Sequence, residues 1–378
     1  MNGDAPRGLL RYFDELPDPR MNRTRRHLLS DILTVAICAV ICGADGWTQV
    51  AQFGRCKLKW FKTFLDLPNG IPSHDTFGRV FARLEPAAFE ECFMKWVTSL
   101  ADHSQGRLIA IDGKTIRRSL DVAGGQAAIH LVSAWCQANH LVLGQVATDA
   151  KSNEITAIPA LLKLLDLSGA VISIDAMGCQ KKIARQIVDQ GGDYLLQLKG
   201  NQGGLHDETA LLFDQCLSTD CLGLKHTTAA TTNGGHGRVE QRRLWATGEV
   251  GWFAERGRWK NLRSLIRVEA VRTVAGETSR EYRYYISSLP ADDAERLLKL
   301  IRGHWGIENT LHWSLDINFR EDERRIRRGH GAENFSRLSR IALNLLKAET
   351  TEKVGIKTKR LTCGWDHDYL LKVLTKGD

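Results

Sequence analysis

Two short apolar runs, Ile109-Ala-Ile-Asp112 and Ile172-Ser-Ile-Asp175, constrain what this chain can fold into more than any other feature. Each reads as a buried β-strand that stops at a carboxylate, the first followed at once by the turn residue Gly113. Strands of this kind can lie side by side in one sheet, and their carboxylates then project together beyond its edge. Paired acids are costly to hold close unless a divalent cation neutralises them, and all-oxygen ligation suits magnesium or manganese. A strand-terminal aspartate by itself commonly just caps a turn. Two of them leave both readings open: turn caps, or half of a metal site whose third carboxylate comes from elsewhere.

The pattern around the pair is that of an α/β fold. Residues 1–104 read as a helical domain, with an apolar run from Leu28, an aromatic-bearing stretch through Trp47, Phe53, Trp60 and Phe64, and a segment that Ser73 opens as N-cap. That segment carries Arg79 and Arg83 one turn apart, as a DNA-reading helix would, although arginines on a helix face are ordinarily just solvated. Over 105–200 the spacing predicts strands at 108–112, 128–136, 140–148, 170–176 and 193–199, with helices at 155–167 and 180–190. Strand-strand-strand-helix-strand-helix-strand is the order of a ribonuclease-H-like core. Residues 201–290 turn rich in Gly, Thr, Arg and strand formers and read as a mainly β insertion, with strands at 242–246, 262–274 and 280–287. Helical periodicity resumes over 291–350 and carries Glu308, and 351–378 make a C-terminal tail.

A formal charge of +8 and a pI near 9.0 give a positive field suited to a polyanion such as nucleic acid. The N-terminus lacks the order of a secretory signal. The most apolar run, Leu28 to Ala44, is interrupted by Ser30 and Asp31 and is short for a bilayer span, so a cytoplasmic protein without membrane spans is expected. Nine cysteines without a C-x-x-C pair read as small buried hydrophobes in a reducing compartment rather than as a disulfide framework or a zinc cage.

Further short stretches follow one another in a fixed order: Ile111-Asp-Gly-Lys-Thr, Lys151-Ser-Asn-Glu-Ile, Ile174-Asp-Ala, Leu198-Lys-Gly-Asn-Gln, His236-Gly-Arg-Val-Glu and His304-Trp-Gly-Ile-Glu-Asn. Their order and spacing strongly resemble the DDE transposases of bacterial insertion sequences, above all the H-repeat-associated group. The resemblance runs over nearly the whole chain, from Phe13-Asp-Glu-Leu-Pro-Asp-Pro-Arg to the segment Arg360 to Leu374. It implies a ribonuclease-H-like catalytic core, an N-terminal helical domain, a β insertion before the last acid, and Asp112, Asp175 and Glu308 as catalytic metal ligands. Two Mg2+ or Mn2+ ions so held would clamp the attacking and leaving oxygens of an in-line phosphodiester displacement. The implied activity is DNA strand cleavage and strand transfer at element ends. The implied partners are double-stranded DNA, as terminal inverted repeats and target, and a second copy of the chain. A metal-dependent nuclease without joining activity and an inactive DNA-binding relative are the alternatives, and the presence of all three acids argues against the second.

The chain departs from the family pattern beside Glu308. Related transposases often place an arginine four residues before that glutamate and a lysine seven after it, where this sequence has His304 and Leu315. His304 and His312 stand one turn to either side of Glu308, as site residues or as packed histidines. Lys114, Lys199, Asn201 and Arg238 lie inside the motif stretches as candidate DNA contacts, with His304 beside them; Glu154, His236 and His312 form a second tier. The run Arg320-Glu-Asp-Glu-Arg-Arg-Ile-Arg-Arg-Gly-His adds Arg324, Arg325, Arg327 and Arg328, which read either as phosphate contacts or as an internally paired solvated face.

Overall fold

The computed structural model describes residues 8–100, 105–120, 125, 127–148, 153–235 and 237–376. Five helices come first: α1 (Leu29–Ile41), α2 (Trp47–Cys56), α3 (Leu58–Phe61), α4 (His74–Arg83) and α5 (Pro86–Leu100). The mixed region follows with β1 (Leu108–Thr115), β2 (His130–Cys136), β3 (Leu141–Ala147), α6 (Glu154–Leu164), β4 (Val171–Ile174), α7 (Lys181–Asp189) and β5 (Asp193–Leu198). Next come α8 (Gly203–Ser218), β6 (His226–Gly235), β7 (Arg238–Thr247), β8 (Ser264–Val274) and β9 (Glu277–Ser287). The chain ends on α9 (Ala294–His304), α10 (Trp313–Ile317), α11 (Gly331–Ala348), α12 (Ile356–Trp365) and α13 (His367–Leu374). From 105 to 200 each expected element is present within a few residues of its expected ends. The stretch after 201, expected to be mainly β, instead opens on the sixteen-residue α8. The order is that of a mixed α/β chain with an N-terminal helical region. Among the described residues no helix is long and apolar enough to cross a membrane.

The chain divides into two compact units. One comprises residues up to 102, 113–151 and 308–378, and the other 103–112 and 152–307. In the first, α11 is the central helix, with α1, α4, α5, α12, α13 and β3 packed around it. Its apolar residues Leu338, Ile341, Ala342, Leu345 and Leu346 are buried, and so are the polar Asn334, Arg337, Arg340 and Asn344, which recur at helical spacing. A buried polar group must find a partner or cost stability. Each of these does. Asn334 Nδ2 donates to the carbonyls of Phe81 (2.8 Å) and Leu84 (2.9 Å) at the end of α4. Arg337 pairs with Glu90 of α5, and Glu90 also accepts the backbone N–H of Gln145 on β3 at 2.7 Å. Asn344 exchanges two 2.9 Å bonds with the backbone of Val142, acting toward β3 as a strand neighbour would. β2 and β3 form an antiparallel hairpin, and Ile116 N donates to Ile129 O at 2.9 Å.

In the second unit the strands lie in the order β1, β4, β5, β9, β8, β7, β6. β1, β4 and β5 are parallel and the remaining pairings antiparallel. Parallel strands covered on both faces read as unbroken apolar runs, which is how Leu108–Ile111 and Val171–Ile174 appear in the sequence. One face carries α9, whose Leu297, Leu298 and Ile301 pack with Leu108, Val171, Leu195, Ile266 and Tyr285. β8 and β9 are joined through Ala275 (φ 50°) and Gly276 (φ 86°), two successive left-handed residues of the kind that close a tight right-twisting hairpin.

The cysteines differ from expectation at one place. Cys38, Cys92, Cys136, Cys179 and Cys363 are buried thiols, but Cys216 and Cys221 are joined as a disulfide. The reading of every cysteine as a packing residue failed there because α8 ends just after Cys216 and the chain doubles back.

Candidate functional site

β1 and β4 pair in parallel register through Ile111 and Ile174, so Asp112 and Asp175 each follow the last paired residue of neighbouring strands. Neighbouring strands run about 4.8 Å apart. Strand alternation gives the two aspartates the same side as Ala110 and Ser173. Asp175 Oδ1 accepts the N–H groups of Met177 (3.0 Å) and Gly178 (3.4 Å). Burial pushes the Asp175 carboxyl above its ordinary range, and the negative charge of Glu154 adds to the shift against the opposing pull of those amides and Lys199. Glu154 opens α6 directly after its N-cap Asn153, whose side chain accepts from Ile155 N at 3.1 Å. Asn201 Nδ2 donates to Ala176 O at 2.6 Å and braces the loop after Asp175.

The second unit therefore brings Asp112, Asp175, Glu154, Lys199 and Asn201 toward one end of β1 and β4. Partly buried carboxylates, one of them with its charge disfavoured by burial and by Glu154, are a donor set that a hard divalent cation would relieve. The residues present fit such an ion.

His304, readable from the sequence as a site residue or as a packed histidine, is bonded inside the second unit. Its Nδ1 lies 2.9 Å from Ser173 Oγ, so it ties α9 to β4. Burial lowers its pKa from 6.5 to about 4, and the imidazole is neutral near pH 7. Because the unfolded chain binds a proton that the folded chain resists, acidification from 6.5 toward 4 destabilises the protein, by at most about 3 kcal/mol for this residue. His304→Gln should flatten that acid limb when unfolding free energy is followed against pH. An unchanged limb would show that the histidine is not held neutral. Trp305, next in the motif, sits between the guanidinium groups of Arg242 (5.4 Å) and Arg283 (4.2 Å).

In the first unit, Glu308 is exposed on a segment, Ile307–His312, that winds in wide π-helical turns rather than α-helical ones. Such turns are rare and recur at functional sites. Burial lowers the pKa of His312 to about 3, with the charges of Arg340 and Lys114 adding to the shift, so it too is a neutral packed histidine.

Two of the candidate DNA contacts have partners inside the protein. Lys114 is buried and its Nζ lies 2.7 Å from Asp316, 3.0 Å from Asp322 and 4.0 Å from Glu321. So enclosed by carboxylates, its charge is met within the protein. Arg324 is also buried, donating to Ser339 Oγ (2.8 Å) and Phe319 O (2.5 Å), with its guanidinium 4.5 Å from the Phe335 ring centroid. Glu321, unmarked by any motif or spacing, is the centre of this network. Burial would raise its pKa, but Arg340, Arg324 and Lys114 hold it at about 2. Lys199 and Asn201 are exposed, Arg238 is exposed at the start of β7, and His236 lies outside the described residues.

Arg325, Arg327 and Arg328 differ from Arg324 in being exposed. They line a cleft of about 680 Å³ with Arg79 and Gly78 of α4, His74, Asp75, and Asp45 to Thr48. Ser73 caps α4 as expected, accepting from Thr76 N at 3.3 Å, and this end of the helix borders the cleft. The arginine loop is seated by Gly329, at φ +49°, where a Cβ would collide with the carbonyl of Ala82. Four arginines against two aspartates make the cleft basic.

Comparison with known proteins agrees with the resemblance. A family model described as "Transposase DDE domain" matches residues 103–345, and one described as "DDE_Tnp_1-associated" matches residues 10–97. The chain is 44% identical to "Putative transposase YncI" of Escherichia coli O157:H7, over 97% of this chain and 94% of that protein. It is 42% identical to "H repeat-associated putative transposase YhhI" of Escherichia coli (strain K12), over 97% of each. Membership implies a ribonuclease-H-like core, divalent-metal use and DNA binding. Aspartates just past the last paired residues of two neighbouring parallel strands, a basic cleft and matches across almost the full length place this chain in the DDE transposase family.

Proposed function

We propose that the protein cuts DNA at the ends of a bacterial insertion sequence and joins the freed 3′-hydroxyl to target DNA, with Asp112, Asp175 and Glu308 holding two Mg2+ or Mn2+ ions. The observation that carries this reading is the register of β1 and β4, which sets Asp112 and Asp175 at the same level of adjacent parallel strands. The raised pKa of Asp175 supports it, because burial and Glu154 make that carboxylate's charge costly in the absence of a cation. The third place goes to Glu308. It is the acid that the resemblance of His304-Trp-Gly-Ile-Glu-Asn assigns to the set.

When bound, the ions would supply Lewis-acid stabilisation to the oxygens that attack and leave phosphorus. The protein's own groups have separate tasks. Asp112, Asp175 and Glu308 serve as ligands rather than proton carriers, Glu154 adds negative charge beside Asp175, and the amides of Met177 and Gly178 hold the Asp175 carboxylate in one orientation. Arg79, Arg325, Arg327 and Arg328 grip the DNA backbone. A homodimer handles the two element ends together.

The test is an assay of cleavage and joining on DNA carrying the inverted repeats that flank the gene, with Mg2+ or Mn2+. Joined product supports the transposase. Cleavage without joining selects the nuclease, and binding without either selects the inactive relative. DNA affinity should also fall steeply with salt: with roughly six phosphate contacts, at a slope of about 0.9 each, it drops on the order of a thousandfold between about 50 and 200 mM. Alanine at Arg79, Arg325, Arg327 and Arg328 together should flatten the slope by up to about 3.6, at about 0.9 for each of the four. An unchanged slope in the folded variant would remove the cleft from the interface.

A further inference from the structure

Cys216, in the last turn of α8, Cys221, on the loop after it, and His226, the first residue of β6, bring their ligand atoms within 4.8 Å of one another. The two sulfurs are buried and the imidazole is half-buried. His226 Nδ1 lies 3.0 Å from the carbonyl of Leu224, so the proton rests on Nδ1 and Nε2 keeps its lone pair. A metal-ligating histidine characteristically donates its other ring N–H in this way. The backbone pays for the arrangement: Asp220 (φ 51°) and Cys221 (φ 56°) are consecutive left-handed residues without being glycine, and Cys221 N donates to Cys216 O. Such residues are strained and persist where other bonds over-determine them.

We propose that Cys216, Cys221 and His226 form a zinc site when the two thiols are reduced, and that the disulfide is the metal-free, oxidised state of the same site. The steps balance. A thiol reductant of the glutathione class supplies two electrons and, with two protons, converts the S–S bond to two thiols, being itself oxidised to a disulfide. Binding of Zn2+ then releases one proton from each thiol. Two thiolates and a neutral imidazole leave the site with no net charge, which suits its burial, and the fourth tetrahedral position is open to water. The ligand set is soft, unlike the all-oxygen set proposed for catalysis, so the two sites select different metals. Occupied, the site ties the end of α8 to the start of β6 and braces the β6–β9 sheet at its entrance.

Co2+ is the probe, because thiolate ligation gives it a near-ultraviolet charge-transfer band that oxygen ligands do not. The reduced full chain should bind Co2+ stoichiometrically with that band and lose it to Zn2+, while the oxidised chain shows none. Cys216→Ser and Cys221→Ser should each weaken binding by more than about a hundredfold, since even an outer partner of a ligand is worth roughly ten- to a hundredfold. Cys56→Ser, at an exposed free thiol, should change nothing. His226→Cys should retain a band of altered intensity where His226→Ala weakens it, a comparison that holds if far-ultraviolet circular dichroism shows both folded. A reduced chain without the band, or a band untouched by Cys216→Ser, would overturn the site.

Discussion

Asp175→Asn should lower DNA strand cleavage by at least about a thousandfold, equivalent to roughly 4 kcal/mol of transition-state stabilisation, while leaving DNA affinity within about twofold. An amide is a poor ligand for a hard cation and brings no charge to offset it, whereas the arginines proposed to grip DNA belong to a different set of residues. Stability should move the other way from activity. The folded protein raises the Asp175 pKa, chiefly through burial, so near neutral pH the ionised form is disfavoured by folding and removing its charge costs nothing. Without divalent cation the variant should melt at the wild-type temperature or slightly above. With Mn2+ the wild type should gain Tm through preferential binding to the folded state and the variant should gain less. Cleavage near the wild-type rate would remove Asp175 from the metal site, and a Tm loss of several degrees would make its role structural.

The largest effect on stability is expected at Arg340. It pairs with Glu321 at 2.9 Å, and both side chains are 0% exposed. Arg340→Met would leave Glu321 buried with Arg324 and Lys114 as its remaining nearby cations, Lys114 at 4.0 Å. Breaking one side of a buried pair typically costs about 3–5 kcal/mol. Adding Glu321→Gln should restore part of the loss, because the unpaired carboxylate is then gone while Arg324 keeps Asp45 and Lys114 keeps Asp316 and Asp322 as counter-charges, and urea unfolding of the two variants measures the difference. The pH dependence follows from the same pair. Glu321 is held near 2 against an ordinary 4.5, so its contribution is present above 4.5 and is lost as pH falls toward 2. A single-variant cost below about 1 kcal/mol would show that the pair is not what holds this region.

Where the sequence was readable, the reason was local. Apolar runs ending in Asp112 and Asp175 announce buried strands with polar ends, and a serine three residues before Thr76 announces a helix start. What stayed hidden depended on direction or on distant partners. Arg324 and Arg325 are adjacent and chemically identical, but one turns into the core toward Ser339 and the other faces the cleft. Lys114 reads as a free cation because its carboxylate partners, Asp316 and Asp322, lie some two hundred positions away. The wide turns at Glu308 leave no mark in the 3.6-residue period. Nor does α8 announce itself, since it begins with Gly203-Gly204 and its apolar residues do not gather on one face. The Cys216–Cys221 juxtaposition depends on a left-handed backbone at two residues that ordinarily avoid it.

The polar stripe of α11 bears on what becomes of broken copies of such a gene. Asn334 addresses α4, Arg337 addresses α5, Arg340 addresses the Glu321 segment and Asn344 addresses β3, so α4, α5 and β3 each have a docking residue on one late helix. A reading frame interrupted between residues 101 and 330 would still encode α1 through α5 but not α11, the late helix that α4 and α5 are keyed to. The carbonyls of Phe81 and Leu84 and the carboxylate of Glu90 would then lack their partners, and the apolar faces of α1 and α4 would lie open to solvent. The N-terminal part of a truncated copy should therefore be degraded rather than persist as a free DNA-binding fragment competing with intact enzyme for the element's ends.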